Sequence, residues 1–161
     1  MTRRPLWAPW RIDYIQGPKS QECIFCDSAG SDRDRLILHR GEQVSVMLNR
    51  FPYCLGHVMV APNAHVARLY DLEAAVREEL FARVADSSRI LDELFACDGQ
   101  NIGINQGAAA GAGFGDHIHV HLVPRWKGDT NFMTAVAELR VIPDHLDRTW
   151  EQLAPRFAEL P

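Results

Sequence analysis

A chain of 161 residues, 47% hydrophobic and 24% charged, has the composition of one globular domain large enough to bury a real core. A formal net charge of −4 and the lack of any basic run exclude bulk binding along a phosphate backbone, so no nucleic-acid partner is expected. Arg3 and Arg4 precede no apolar segment and no stretch approaches bilayer length, so a cytoplasmic protein without a membrane partner is expected.

Residues 1–22, rich in aromatic residues, proline and charge, read as an arm that either packs on the core or covers a site. Residues 23–35 form a Cys- and Asp-rich connector. Leu36–His39 and Val44–Leu48 are predicted strands around a turn at Arg40-Gly41-Glu42. Asn49–Gly56 is a predicted loop and His57–Pro62 a third strand. From about Leu72 to Ala96 the period changes. Leu72, Val76, Leu80, Val84, Ser87, Leu91 and Leu94 recur at helical spacing. Asp71 is the expected N-cap, and Asp98-Gly99 the expected stop. Asn101–Asn105 and His117–Pro124 are the fourth and fifth predicted strands. A short helix is expected near Leu146–Phe157, within a C-terminal extension from about residue 134. The order β-β-β-α-β-β with short connectors predicts an α+β fold: a mostly antiparallel five-stranded sheet packed on one long helix. No repeat or linker divides residues 1–161, so a single domain is expected.

The fifth strand is the most informative segment. It reads His117-Ile118-His119-Val120-His121-Leu122-Val123. Alternate side chains of a strand point to opposite faces, so Ile118, Val120 and Leu122 face a core and three imidazoles line the other face. Imidazoles grouped in this way serve as nucleophile, acid and base, or metal ligands. The preceding loop, Gln106 to Asp116, holds four glycines and four alanines. Its accessible N–H groups suit a nest for phosphate oxygens, delivered onto the start of the histidine strand. After the strand, Arg125 and Lys127 are candidates to meet a substrate phosphate. Trp126 either stacks on a base or closes the core.

The pattern His-φ-His-φ-His-φ-φ at 117–123 resembles the signature of the histidine triad family. The resemblance extends over Cys23-Ile24-Phe25-Cys26, Leu48-Asn49-Arg50, Gly56-His57-Val58-Met59-Val60-Ala61-Pro62, the Gln106–Gly115 loop and Pro124-Arg125. The tail Trp126 to Met133 is similar to a bacterial branch of diadenosine tetraphosphate phosphorylases and hydrolases. The resemblance implies a nucleotidyl hydrolase or transferase working through a nucleotidyl-histidine, in a homodimer. It implies His119 as the nucleophile toward the α-phosphorus, with His121 and His57 on phosphate oxygens and the leaving group. It implies Gln106 and the loop amides around Gly111, Gly113 and Gly115 on the non-bridging oxygens, and Asn49 on the ribose. Diadenosine tetraphosphate phosphorylase and adenosine phosphoramidate hydrolase are the neighbouring activities. The loop carries no side-chain hydroxyl to hold an acceptor phosphate, which favours water as acceptor.

The four cysteines of a cytoplasmic chain are expected as thiols or metal ligands rather than disulfides. The Cys23-x-x-Cys26 spacing suits metal binding, redox chemistry or a simple packed pair. The family resemblance implies a structural zinc completed by His65 and His117. Two readings from other classes stand beside these: a hydrolase with a catalytic zinc on His117, His119 and His121, and a nucleotide-binding protein without turnover.

Overall fold

The structure is a computed structural model and describes residues 23–26, 29–111, 115–129 and 145–161. The arm over 1–22, loop residues 112–114 and the stretch 130–144 lie outside the described residues. Five strands form one sheet: β1 Ile37–Arg40, β2 Val44–Leu48, β3 Val58–Pro62, β4 Gly99–Ile104 and β5 Val120–Arg125. Their spatial order is β1-β2-β3-β5-β4, and every neighbouring pair is antiparallel. Helix α1 spans Ala74–Phe95 and helix α2 spans Leu146–Phe157.

Period-two alternation explains the two faces. Val44, Val46 and Leu48 of β2, Val58 and Val60 of β3, and Val120 and Leu122 of β5 form one buried cluster with Val76, Leu80, Val84 and Leu91 of α1. Leu153 and Phe157 of α2 are fully buried in the same cluster, so α2 closes the core. The opposite face carries a smaller cluster of Ile37, Met47 and Met59, capped by Ile24 and Phe25. Among the described residues, no helix is long and apolar enough to cross a membrane.

Boundaries differ from the periodic reading in several places. The ladder of β5 begins at Val120 rather than at His117. Continuing the β3–β5 register, Val60 opposite Val120, would place Ile118 against Pro62, which has no N–H to donate. Ile118 instead donates to the Val66 carbonyl at 2.7 Å. Helix α1 starts later than Asp71, which sits in a short 3₁₀ turn (Leu69–Asp71); Glu73 is the N-cap position and makes no side-chain cap. The helix ends at Phe95 with Ala96 as its C-cap, in keeping with the expected end near Ala96, and Asp98-Gly99 does not supply the stop. Ala96 takes a left-handed conformation and its N–H closes on the Asp92 carbonyl. Gly99 instead opens β4, and the Asp98 N–H already bonds the Arg125 carbonyl of β5.

Candidate active site and metal centre

The site lies on the sheet face away from α1, where β3 and β5 run side by side. His121 stands opposite Met59, and His57 immediately precedes β3. Gly56 brings the chain into position. Its φ is +70° and an added Cβ would lie 2.8 Å from the Phe95 ring, so neither the turn nor the close approach tolerates a side chain.

Three hydrogen bonds fix a chain of tautomers. The Tyr53 N–H donates to His57 Nδ1 at 3.1 Å, which leaves the His57 proton on Nε2. That Nε2 lies 3.0 Å from His121 Nδ1 and donates to it. His121 therefore carries its own proton on Nε2. His119 Nδ1 lies 2.9 Å from the His117 carbonyl and must donate, since a carbonyl only accepts. The neutral His119 ring is left with a lone pair on Nε2, the arrangement an imidazole nucleophile requires. The His119 and His121 ring centroids are 4.7 Å apart. A nucleophilic nitrogen and an N–H donor thus stand side by side.

Burial disfavours the charged forms of His119 and His121. His57 is fully buried and His119 is 4% exposed. Burial holds His119 below the usual histidine range, against the opposing bond to the His117 carbonyl. His121 is pushed down to about 4, first by burial and then by the neighbouring His119. Around it stand His57, His119 and the Tyr53 ring, with no carboxylate among these contacts. Unfolded, the same histidine titrates near 6.5. Between about 4 and 6.5 the unfolded chain therefore binds the extra proton, so stability rises with pH across that window and is lost on acidification. Urea midpoints at the two ends of that range should differ in this sense, and the difference should shrink in His121→Gln. An equal slope in that variant would remove His121 as the cause.

A second cluster sits beside the first. The ligand atoms of Cys23, Cys26, His65 and His117 all lie within 4.8 Å of one another. Cys23 Sγ and Cys26 Sγ are 3.3 and 3.4 Å from His117 Nδ1, and Cys26 Sγ is 3.2 Å from His65 Nδ1. His117 Nε2 donates to the Pro62 carbonyl at 2.8 Å, so its Nδ1 lone pair faces the sulfurs. Two thiols and two imidazoles, one oriented by a carbonyl behind it, are the donor set of a closed tetrahedral zinc site, so these residues fit the metal. Among the described residues this is the one group able to hold an ion, and it does not include His119 or His121. Among the described residues the three triad imidazoles therefore do not form an ion-holding group. The His117 Nδ1 faces the cysteine sulfurs and its Nε2 is taken by the Pro62 carbonyl, so neither nitrogen of His117 is left for an ion shared with His119 and His121.

The remaining expected residues fall into place around the two clusters. Asn49 lies beside His57, its amide nitrogen 3.4 Å from His57 Nδ1, and its Oδ1 accepts the Phe51 N–H. Gln106 Oε1 accepts the Leu69 N–H at 2.9 Å, which ties the loop to the segment after β3. Gly111 has φ +85°, and an added Cβ there or at Gly115 would meet nothing within 4 Å, so this backbone is open. Gly113 lies outside the described residues. Arg125 makes a two-pronged contact with Asp129 and reaches Asn101, at the end of β5 far from His119. Trp126 donates to the Phe95 carbonyl and packs at the end of α1.

Two participants escaped the sequence reading. The Phe25 ring lies 4.9 Å from the His117 ring and 4.7 Å from the His119 ring, so it joins the two clusters. An aromatic residue between two candidate ligand cysteines was the available signal. Tyr53 stacks on His57 at 4.6 Å and sets its tautomer through a backbone N–H, which no residue pattern announces.

A family model described as the HIT domain matches residues 31–128. The chain belongs to the HIT family. This HIT chain is 36% identical over 166 residues to the AP-4-A phosphorylase of Mycobacterium tuberculosis (strain ATCC 25618 / H37Rv), covering 97% of this chain and 85% of that protein. It is 34% identical over 93 residues to a bis(5'-nucleosyl)-tetraphosphatase [asymmetrical] of Schizosaccharomyces pombe (strain 972 / ATCC 24843), covering 58% of this chain and 50% of that protein. Its fold is similar to a crystal structure of a Zn-bound histidine triad family protein from Mycobacterium smegmatis, with TM-score 0.62 and 29% identity over 77% of this chain and 84% of that one. The five-stranded antiparallel α+β architecture is thus the HIT fold.

Proposed function

We propose that this HIT protein is a nucleotidyl hydrolase or transferase that cleaves dinucleoside polyphosphates such as diadenosine tetraphosphate at the α-phosphate. The observation that carries the reading is the His119 tautomer: its Nδ1–H is held by the His117 carbonyl and its Nε2 lone pair is free. The names of the M. tuberculosis and S. pombe relatives support the substrate class. In the first step His119 Nε2 attacks the α-phosphorus and the bond to the bridging oxygen breaks. The electron pair leaves with the bridging oxygen as a nucleotide anion, which accepts a hydrogen bond from His121 Nε2–H. In the second step water attacks the phosphorus of the nucleotidyl-His119, the P–N electron pair returns to His119 Nε2, the water loses a proton to solvent, and AMP departs. The loop amides near Gly111 and Gly115, with Gln106, hold the charged oxygens, and Asn49 the ribose. Ile24 and Phe25, packed on Ile37, Met47 and Met59, offer the base an apolar seat.

The acceptor separates this reading from the phosphorylase reading, which the name of the M. tuberculosis relative favours. Diadenosine tetraphosphate incubated with excess phosphate should yield AMP and ATP, with phosphate competing weakly. ADP and ATP as the main products would establish the phosphorylase instead.

Cys23, Cys26, His65 and His117 would hold a structural zinc that fastens the Cys-x-x-Cys turn to the sheet; the zinc-bound M. smegmatis neighbour supports this. Reduced thiols of that kind fit a cytoplasmic protein. A homodimer joined along the outer edge of β4 accounts for exposed Ile102 and Phe81 on neighbouring surfaces. A monomer by sedimentation at micromolar concentration would overturn the dimer.

A further inference from the structure

Among the described residues, one arginine differs from all the others. Arg33, Arg40, Arg83, Arg89, Arg125 and Arg156 pair with carboxylates. Arg35, Arg50 and Arg77 donate to backbone carbonyls. Arg148 also has a partner. The exposed Arg68 guanidinium has none among the described residues.

Its placement is specific. Arg68 Nη1 lies 3.5 Å from where a Cβ on Gly107 would stand, and Gly107 has φ +89°, at the start of the glycine loop. Two bonds clamp the Arg68 segment at that end of the sheet. The Leu69 N–H donates to Gln106 Oε1, and the Ile118 N–H donates to the Val66 carbonyl, one residue before His119. The result is a planar cation, unpaired among the described residues, beside loop backbone that is open at Gly111 and in a segment clamped to the residue that precedes His119. Arg presents two parallel N–H donors that match two oxygens of a phosphate.

We propose that Arg68 and the Gly107–Gly111 backbone form an anion subsite for the phosphates beyond the one attacked, making Arg68 a determinant of preference for long polyphosphate substrates. The proposal rests on the reading that His119 attacks a nucleotidyl phosphorus. A single-phosphate substrate such as adenosine 5'-phosphoramidate leaves the subsite empty; a tetraphosphate fills it.

Steady-state kinetics of Arg68→Gln and Arg68→Lys on both substrates test it. For Arg68→Gln, KM for diadenosine tetraphosphate should rise about tenfold or more, as expected for losing a charge-assisted contact, with kcat nearly unchanged. The same variant should keep wild-type kcat/KM on the phosphoramidate, and Arg68→Lys should recover part of the loss. The salt dependence of the tetraphosphate KM should become shallower in Arg68→Gln. Equal losses on both substrates would overturn the proposal in favour of a structural role through the Gln106–Leu69 contact. No loss on either would also overturn it. An unchanged tetraphosphate KM with loss of a phosphate-derived ADP product would move Arg68 to an acceptor phosphate and overturn it as well. A wild-type enzyme that cleaves neither substrate would instead remove the reading on which the proposal rests.

Discussion

Replacing His119 by alanine should cost turnover roughly 10⁴-fold or more while nucleotide binding survives, because the change removes the bond-forming atom and leaves the rest of the site in place. The ring is buried and its Nδ1 bond to the His117 carbonyl serves only to orient Nε2, so no neighbour can substitute for it. His121 Nδ1 is occupied by His57 and its Nε2 carries the proton, which makes it a donor and a poor nucleophile. Acid quenching of the wild type during turnover should trap a nucleotidyl group on His119. Substantial activity in His119→Ala, with AMP still released, would end the covalent mechanism. Loss of both turnover and nucleotide affinity would point to a wider collapse of the site.

The second large effect concerns the metal. Purified protein should carry about one zinc per chain, bound by two thiolates and two imidazoles. Cys23→Ser should release it and lower the melting temperature by roughly 10 °C. A ligand present at a thousand times its dissociation constant stabilises by about 4 kcal/mol, and a domain of this size shifts about 2–4 °C per kcal/mol. The chemical step should suffer less than the stability, since His119 and His121 lie outside the ligand group. Calorimetry beside metal analysis decides this. Zinc-free protein from metal-replete expression would refute the site. A chelator that stops turnover in a fully folded protein would restore the catalytic-metal reading.

What the amino-acid order revealed follows from how local each signal is. Alternation of Ile118, Val120 and Leu122 with three histidines is a property of adjacent residues, so the two faces of β5 were readable before any fold. The same holds for the core stripe of α1 and for α2. Element ends depended on distant partners. The late start of β5 comes from Pro62, on another strand, and the early start of β4 from Asp98 bonding to Arg125. Within the site, the cysteine spacing marked a ligand pair. The decisive hydrogen bonds, from Tyr53 to His57 and from His57 to His121, exist only once β3 lies against β5. That Arg68 has no partner among the described residues was invisible for the same reason: whether a cation is paired is settled by the fold.

The sheet order β1-β2-β3-β5-β4 has a consequence for when the site comes into being. β5 is the last strand among the described residues, yet it is inserted between β3 and β4 and bonded on both sides. Its backbone amides should be among the slowest in the protein to exchange with deuterium, opening only when the whole domain opens. Both site clusters draw on this late segment, His121 from the strand itself and His117 and His119 from the residues leading into it. No intermediate lacking β5 can hold the nucleophile or the fourth ligand of the cysteine site. Refolding followed in real time should therefore regain turnover in step with β5 protection and never ahead of it.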